Sequence, residues 1–233
     1  MSRQEKLAAL ASTGVTKAEL DNIDGGTARG TTAIADGDGV LINDAGTMRM
    51  TSVETMATYM GTKITGGSMV YLASTGAISN AASVVFTQFD ATKYDYYKFS
   101  ILNAVPATAG GLSLLAQVST DGGSNYDSTN GNYHWNGTTD TTGLMVTYNV
   151  GSDTGEACTG EWNLMAPHLT GYTYGVGTMV NLDPTPNVKG GSNANYSAGV
   201  HLVEADVDAI KFLFTSGNIE SGEIVMYGIA NGT

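Results

Sequence analysis

The chain has few of the residues that usually build covalent frameworks or reactive sites. Its 233 residues include one cysteine, Cys158, which excludes an intrachain disulfide, and only three histidines. Charged residues make up 14% of the chain, whereas an average globular domain has about 25%. No apolar run approaches the roughly 20 residues of a membrane span, and the polar start MSRQEKLAAL lacks the apolar core of a signal peptide. A soluble protein made in a cytoplasm is therefore expected, with no membrane partner.

The charge that is present is acidic and unevenly distributed. The formal net charge is −12, which argues against a nucleic-acid partner because binding to a phosphate backbone requires Lys and Arg. Residues 1–64 hold six Lys/Arg and eight Asp/Glu, a net of −2, whereas residues 65–233 hold four Lys and fourteen Asp/Glu, a net of −10. This shift, near Lys63 to Gly67, predicts an N-terminal region over residues 1–64 and a second domain over residues 65–233.

Glycine and alternating apolar residues dominate the second region. The chain contains 31 glycines, about twice the usual share of about 7%. From about Met69 the apolar pattern has a period of two, as in Tyr97, Phe99 and Ile101, and the same alternation runs through residues 112–119. Turn sequences separate eight or more such segments. The pattern predicts a mainly β protein, an antiparallel β-sandwich or jelly roll, with a small helical and hairpin N-terminal region.

The N-terminal region combines helix and hairpin signals. Boxes of the form S/T-x-x-E, which satisfy free backbone N–H groups at a helix start, begin at three places: Ser2, Thr16 and Thr51. After the third box, one apolar stripe runs along the predicted helix: Val53, Met56, Ala57 and Met60. Gly61 stands where a C-terminal stop is expected. Residues 39–42 read as a short strand, and residues 47–50 can pair back onto it as a hairpin.

Residues that could carry chemistry are scattered. No two of the three histidines, His134, His168 and His201, have the spacing of metal ligands. Cys158 lies between Glu156 and Glu161, which would raise its pKa, so it is interpreted as a small apolar filler on a strand edge. No nucleophile elbow, Walker loop or H-E-x-x-H motif occurs, and no motif marks a carboxylate pair of the glycosidase kind. The sequence predicts no enzyme, no cofactor and no metal site.

Two loop-like stretches leave alternatives open. The run from Asp121 to Asp127 offers several oxygen ligands for calcium, but plain turn chemistry is the favoured explanation. The aromatic and polar stretch Tyr133, His134, Trp135 and Asn136 has the character of a sugar-binding surface, in which rings stack on a pyranose. The alternative is that Trp135 packs into the sandwich core, as large aromatic residues usually do. Trp162 is expected in the core.

Residues 13–60 resemble segments of virion structural proteins of tailed bacteriophages. Val15 to Thr27, VTKAELDNIDGGT, is similar to the V-T-x-x-E-L-N-x-L-D-G-V-T segment of phage fibres, with Gly26 in place of the usual Val. Ala35 to Asp44, followed by Met48 to Thr51, resembles an A-D-G-D block of marine phage fibres. In style alone, Leu114 to Tyr126 and Gly222 to Ile229 are similar to strands of fibre tips and head decoration domains.

This resemblance implies a place in the virion and sister subunits in a homotrimer, attached to a major capsid or tail protein. The stripe of Val53, Met56 and Met60 is compatible with such an anchoring or oligomer contact, and equally with a core within the chain. Because the chain has no rod of repeats, a capsid decoration, head fibre or short tail fibre is favoured. The alternatives are a tip that grips host surface glycan through residues 133–136, and a depolymerase with two close carboxylates.

Overall fold

A computed structural model describes residues 2, 4, 5, 32–63, 69–135, 138–185, 187–189 and 195–230 of the chain. The chain divides by its internal contacts into two compact units, residues 1–63 and residues 64–233. Among the described helical residues, no segment is both long enough and apolar enough to cross a lipid bilayer.

The described part of the N-terminal unit is a β-hairpin followed directly by a helix. Strands β1 (Gly39–Asp44) and β2 (Thr47–Ser52) pair antiparallel. The two residues between them, Ala45 and Gly46, both have positive φ, 49° and 92°, which is the backbone of a two-residue hairpin turn. The hairpin predicted from the sequence is therefore present.

Helix α1 (Val53–Lys63) begins and ends slightly later than expected. Ser52, rather than Thr51, caps it, because the Thr55 N–H donates to the Ser52 hydroxyl over 3.1 Å. The helix also continues through Gly61 to Lys63. At the chain start, Ser2 and Glu5 bond each other's backbone N–H groups as a capping box does. The box at Thr16 lies outside the described residues.

The second unit contains a small sheet and a large sheet, and all strand pairs in both are antiparallel. The small sheet has the order β10-β7-β15-β5 and consists of four strands: β5 (Val84–Phe86), β7 (Leu112–Ser119), β10 (Leu144–Val150) and β15 (Ala209–Phe214). Within this sheet, Ile210 of β15 lies opposite Phe86 of β5 on one side and opposite Val118 of β7 on the other. The prediction of a mainly β, antiparallel sandwich with a small helical and hairpin N-terminal part is confirmed.

The large sheet has ten strands among the described residues. Its main path follows the order β3 (Met69–Ser74), β16 (Ile219–Ala230), β6 (Tyr94–Pro106), β11 (Cys158–Met165), β12 (Thr173–Leu182), β14 (Asn195–His201), β8 (Tyr133–Trp135) and β9 (Thr138–Thr141). Strand β4 (Ile78–Ala81) pairs with β16, and β13 (Val188–Lys189) pairs with β12. Strands β6 and β16 are far apart in sequence but adjacent in the sheet, so this part of the sheet depends on long-range pairing.

Four aromatic side chains join the two sheets at the centre of the core. Phe99 of the large sheet lies 5.0 Å from Phe212 and 5.6 Å from Phe86 of the small sheet, measured between ring centroids. Trp162 lies 6.0 Å from both Phe99 and Phe212. These offset and edge-on contacts are the arrangements that aromatic rings favour. Trp162 is therefore a core residue, as predicted.

The period-two prediction holds for β6 but not for β7. In β6, Tyr97, Phe99 and Ile101 are buried and their neighbours are partly exposed. In β7, both faces are buried from Leu114 to Ser119. On the second face, the Gln117 side-chain amide donates to the carbonyl of Thr142, a residue between β9 and β10, over 2.9 Å.

Two glycines of β12 make room for Trp162. A Cβ atom on Gly175 would lie 2.2 Å from Trp162 Cζ2, and one on Gly177 would lie 2.5 Å from the carbonyl oxygen of Glu161. Neither glycine has a positive φ. Space, rather than backbone conformation, therefore requires glycine at both positions, and the indole lies directly on the backbone of the neighbouring strand.

We expect Gly175→Ala to lower the free energy of unfolding by about 1–3 kcal/mol, because the fully buried indole cannot move away from the added methyl group. Gly171→Ala is the matched control, since a Cβ there meets nothing within 4 Å, and its effect should stay within about 0.5 kcal/mol. Urea unfolding followed by Trp fluorescence measures both. Equal stability of the two variants would show that the slot at Gly175 is not tight.

Candidate functional site

The aromatic stretch around β8 is split between the two faces of the large sheet. Tyr133 is fully buried, at 0% exposure, and its ring lies 4.8 Å from the ring of His201. Its hydroxyl donates to the carbonyl of Asp127 over 2.8 Å and accepts the N–H of Val118 over 3.2 Å. Burial raises the pKa of this phenol well above its usual range. Tyr133 is thus a core residue and offers no ring face to a ligand.

His134 and Trp135 point to opposite sides because they are consecutive residues of one strand. His134 lies opposite Val200 of β14, on the face that turns away from the core. Trp135 is half-buried, and its ring centroid lies 6.1 Å from that of Tyr148, an exposed residue of β10. Asn136 lies outside the described residues. The stretch predicted to form one sugar-binding surface therefore does not form a single surface.

A carboxylate holds the end of β14 to the loop after β7. The Asp127 Oδ2 atom accepts hydrogen bonds from His201 Nε2 over 2.9 Å and from Asn132 Nδ2 over 2.7 Å. Its Oδ1 atom accepts the backbone N–H of Thr129 over 2.8 Å. Burial opposes ionisation of Asp127, but these three hydrogen bonds outweigh it and lower the pKa of the carboxyl to about 2. The ionised carboxylate therefore acts as a clamp between sequence-distant segments.

The neighbouring acidic turn is built in the same way. Asp121 Oδ1 accepts the Ser119 hydroxyl and the Asn125 N–H, over 2.9 and 2.8 Å, and its Oδ2 accepts the Asn125 amide over 2.7 Å. These hydrogen bonds lower the pKa of the carboxyl. Both carboxylate oxygens already serve the turn, so plain turn chemistry accounts for the residues from Asp121 to Asp127. Within the described ranges, no three His, Cys, Asp or Glu side chains are arranged to hold a metal ion.

A polar cleft of about 300 Å³ lies between these two carboxylates, and its lining includes Asn125, Tyr126 and His201. Lys211 Nζ lies 4.8 Å from the centroid of the Tyr126 ring and occupies one of its faces. The carboxylate oxygens of Asp121 and Asp127 line the cleft, but they already accept the hydrogen bonds described above. Its residues hold the loop in place, and they do not form a nucleophile–base pair.

Cys158 lies in the interior of the large sheet rather than at an edge. Strand β11 pairs with β6 on one side and with β12 on the other. The thiol is fully buried and donates to the carbonyl of Ala104 over 3.4 Å. Burial raises its pKa to about 12. The thiol therefore stays protonated at neutral pH and packs as a small apolar side chain.

In the N-terminal unit, the predicted contact stripe borders a groove. Met56 and Met60 of α1, with Tyr59 and Ile42, line a concavity of about 660 Å³ between the helix and the hairpin. Val53 is half-buried at the helix start, where its N–H donates to the carbonyl of Asp38 over 2.9 Å. The two methionines therefore share one exposed surface, and Val53 belongs to the connection between hairpin and helix.

Sequence reasoning missed a row of side chains across the outer face of the large sheet. Strand pairing aligns seven residues of seven adjacent strands: Met69, Ile229, Tyr96, Met165, Tyr174, Val200 and His134. This row is called the apolar band below. Alternation in each strand is visible in the sequence, but the alignment of seven such positions requires the register of strands that are distant along the chain.

Comparison with known proteins identifies no family. No family model matches the chain, and no curated protein matches it. One solved structure with similarity is titled "Crystal Structure of A. japonicus CB05", at 12% identity and a TM-score of 0.30. The match covers 83% of this chain and 31% of that one, so the chain spans about a third of that protein's length. A likeness this weak supports neither a family nor an activity.

We expect Asp127→Asn to lower stability at neutral pH and to remove part of its acid dependence. The pKa of this carboxyl is lowered to about 2 in the folded chain, from about 3.9 when unfolded. The ionised carboxylate therefore stabilises the fold above about pH 4, and this contribution is lost as the pH falls towards about 2. Urea midpoints measured across this range should converge for the two proteins at low pH.

Asp95→Asn is the control for that experiment, since it removes one negative charge from an exposed side chain. We expect it to follow the wild-type pH profile. Parallel profiles of wild type and Asp127→Asn down to about pH 2 would contradict the clamp.

Proposed function

We propose that this chain is a non-enzymatic structural protein of a tailed-bacteriophage virion. It acts as a capsid decoration, head fibre or short tail fibre, attached through the N-terminal unit and displaying the β-sandwich. The observation that carries the proposal is the exposure of apolar side chains on the hairpin and helix of residues 32–63. The most exposed of these are Met50, Tyr59, Met48 and Met60, at 66%, 62%, 57% and 56%.

The described hairpin and helix of the N-terminal unit present an apolar groove that a partner can cover. A two-stranded hairpin is marginal by itself in water and gains stability when an apolar face is covered. Here the groove between α1 and the hairpin is lined by Met56, Tyr59 and Met60, and methionine adapts well to irregular partner surfaces. The resemblance of residues 13–60 to phage virion proteins supplies the nature of the partner: sister subunits and a capsid or tail protein.

The charge distribution agrees with this division of roles. The described residues 32–63 hold Lys63 and Arg49 against four acidic residues, a net of −2. One of those acidic residues, Asp44, pairs with Arg49 over 2.9 Å. The domain after residue 64 carries a net of −10. The N-terminal unit can therefore approach other subunits with little electrostatic repulsion, whereas the negative charge of the β-sandwich favours the solubility of the displayed surface.

We expect the protein to co-purify with phage particles and Met56→Asp/Met60→Asp to be depleted from them by at least about tenfold, because a charge in the groove must be desolvated on contact. Phage particles from infected cells would be purified by banding in a density gradient, and quantitative mass spectrometry would measure the amount of the protein in them. Labelled antibody would show whether the protein lies on the head or on the tail. The double variant would be supplied in place of wild type.

Thr58→Asp is the matched control, since it adds the same charge to an exposed position of α1 that does not line the groove. It should be incorporated as well as wild type. Absence of the wild-type protein from banded particles would refute the proposal, and equal incorporation of all variants would refute the role of the groove.

A second candidate is contact with host surface glycan, favoured by the aromatic pair Trp135 and Tyr148 at the edge of the sandwich. The two ring planes are inclined by 34°, and Tyr148 is exposed. Rings of this kind can stack on the apolar face of a sugar while nearby polar groups bond its hydroxyls. Tyr133 takes no part in this candidate surface because it is buried.

If this second candidate is correct, Trp135→Ala and Tyr148→Ala should each weaken glycan binding by about tenfold, since each removes one stacking contact of about 1–1.5 kcal/mol. A glycan array followed by titration of the best glycan measures the effect. Tyr174→Ala, which truncates an exposed ring on the outer face of the large sheet, is the control. Absence of binding to any glycan at millimolar concentration would exclude this role.

A further inference from the structure

The turn that precedes β8 contains an exposed Asn-Gly pair, Asn130 and Gly131. Residues 129–132 form a β-turn, in which the Asn132 N–H donates to the carbonyl of Thr129 over 3.2 Å. Gly131 occupies the third position with a φ of 97°, and a type II turn requires a positive φ at that position. The turn therefore presents a side-chain carboxamide next to the backbone nitrogen of a residue that has no side chain.

An asparagine that is followed by glycine can react with its own backbone. The amide nitrogen of Gly131 attacks Cγ of the Asn130 side chain, the Cγ–Nδ2 bond breaks, and ammonia leaves with the proton that the backbone nitrogen loses. The product is a five-membered succinimide ring. Because the two groups belong to adjacent residues, the attack needs no second molecule, and glycine has no Cβ that hinders it.

The hydrogen bonds of the turn leave both reacting groups unengaged. Within the described part of the chain, neither the Asn130 carboxamide nor the Gly131 N–H is hydrogen-bonded to another residue. The attack requires rotation of the Asn130 backbone, which breaks the hydrogen bond that closes the turn. Exposed segments with few hydrogen bonds open at a low cost in free energy. Packing of the folded domain therefore does not prevent ring closure at this position.

The acidic turn after β7 contains an Asp-Gly pair in the opposite situation. The Gly122 N–H, which would have to attack, donates to Asp208 Oδ2 over 2.9 Å. The Asp121 carboxyl, which would be attacked, accepts hydrogen bonds from Ser119 and Asn125. These bonds lower its pKa and keep it ionised, and an ionised carboxylate is a poor target for a nucleophile. The comparison selects the pair at residues 130 and 131.

Water opens the succinimide in two ways. Attack at Cγ gives aspartate, whereas attack at the main-chain carbonyl of the same residue gives isoaspartate. In isoaspartate the chain runs through the former side chain and is longer by one methylene group. The overall change consumes one water molecule, releases one ammonia molecule and adds one carboxylate, so no oxidant, reductant or enzyme is needed.

The Asn-Gly pair lies between two residues that bond the carboxylate of Asp127. The Thr129 N–H donates to Asp127 Oδ1 over 2.8 Å, and the Asn132 amide donates to Oδ2 over 2.7 Å. An added methylene group between these two donors changes their spacing. The new carboxylate also lies close in sequence to one that is already ionised, and like charges repel. Modification of the turn therefore weakens the clamp that Asp127 forms.

We propose that Asn130 is a site of spontaneous deamidation and isoaspartate formation, which loosens the loop that the Asp127 clamp holds. The attacking group is the backbone nitrogen of Gly131, and the co-reactant is water. The inference does not depend on a place in a virion, since it concerns the chemistry of one turn of the sandwich.

The test follows the purified full-length chain during storage for several weeks in neutral buffer. Asn130 should convert at least about tenfold faster than Asn125 and Asn132, because each of those is followed by a tyrosine and its amide is held by a carboxylate. Conversion raises the mass by about one dalton. Chymotryptic cleavage after the flanking tyrosines isolates residues 127–133. Tandem mass spectrometry then locates the change, and methyl transfer by isoaspartyl methyltransferase detects isoaspartate.

Asn130→Gln is the matched control, since it keeps an exposed amide but must close a less favourable six-membered ring. It should convert at least about tenfold more slowly than wild type. Two further Asn-Gly pairs, at residues 136–137 and 231–232, lie outside the described residues and are the same in both proteins. The urea midpoint of wild type should therefore fall during storage by more than that of Asn130→Gln, because wild type alone loses bonds of the clamp.

Two results would overturn the proposal. One is an Asn130 that remains an amide under conditions in which a synthetic peptide of residues 127–133 converts, since the folded turn would then protect it. The other is a converted wild-type chain whose urea midpoint falls no further than that of Asn130→Gln, since the clamp would then tolerate the longer backbone. Neither result bears on the incorporation of the protein into particles, so the two proposals fail independently.

Discussion

The contact of Phe86, Phe99, Trp162 and Phe212 joins the small sheet to the large one, and the surface of the domain depends on it. Each large aromatic side chain buries about 150–250 Å², so this cluster fixes which face of each strand turns inward. Side chains alternate between the two faces of a strand. Because Phe99 and Trp162 point into the core, their neighbours in β6 and β11 must point outward. The apolar band consists of residues that point outward for this reason.

The same cluster explains why β12 contains a G-x-G pattern. Trp162 is accommodated because Gly175 and Gly177 carry no side chain towards the core. The residues between and beside these glycines, Tyr174 and Val176, then point outward and become exposed. A requirement of the core therefore places one of the largest exposed rings of the sheet next to a hollow lined by small residues.

Polar interactions hold the loops of the sandwich after the core has formed. Asp127 connects to His201 across 74 positions of sequence, and Asp208 accepts the N–H of Gly122 over 2.9 Å from 86 positions away. These carboxylates are engaged in bonds that define loop conformation. The acidic character of the domain thus includes structural carboxylates as well as charges that favour solubility, and net charge alone does not distinguish the two.

The sequence by itself determined the local features: the period-two strands such as Tyr97 to Ile101, the hairpin turn at Ala45 and Gly46, a helix after residue 52, and a buried Trp162. These depend on neighbours within a few residues. The sugar-binding interpretation of residues 133–136, which the sequence left open beside a core position for Trp135, did not anticipate that alternation sends Tyr133 into the core and His134 outward. Tertiary structure alone decided the Asp127–His201 clamp, the covered second face of β7 and the alignment of the apolar band. Each of these joins strands far apart in the chain, and their register is set by the packing of the two sheets.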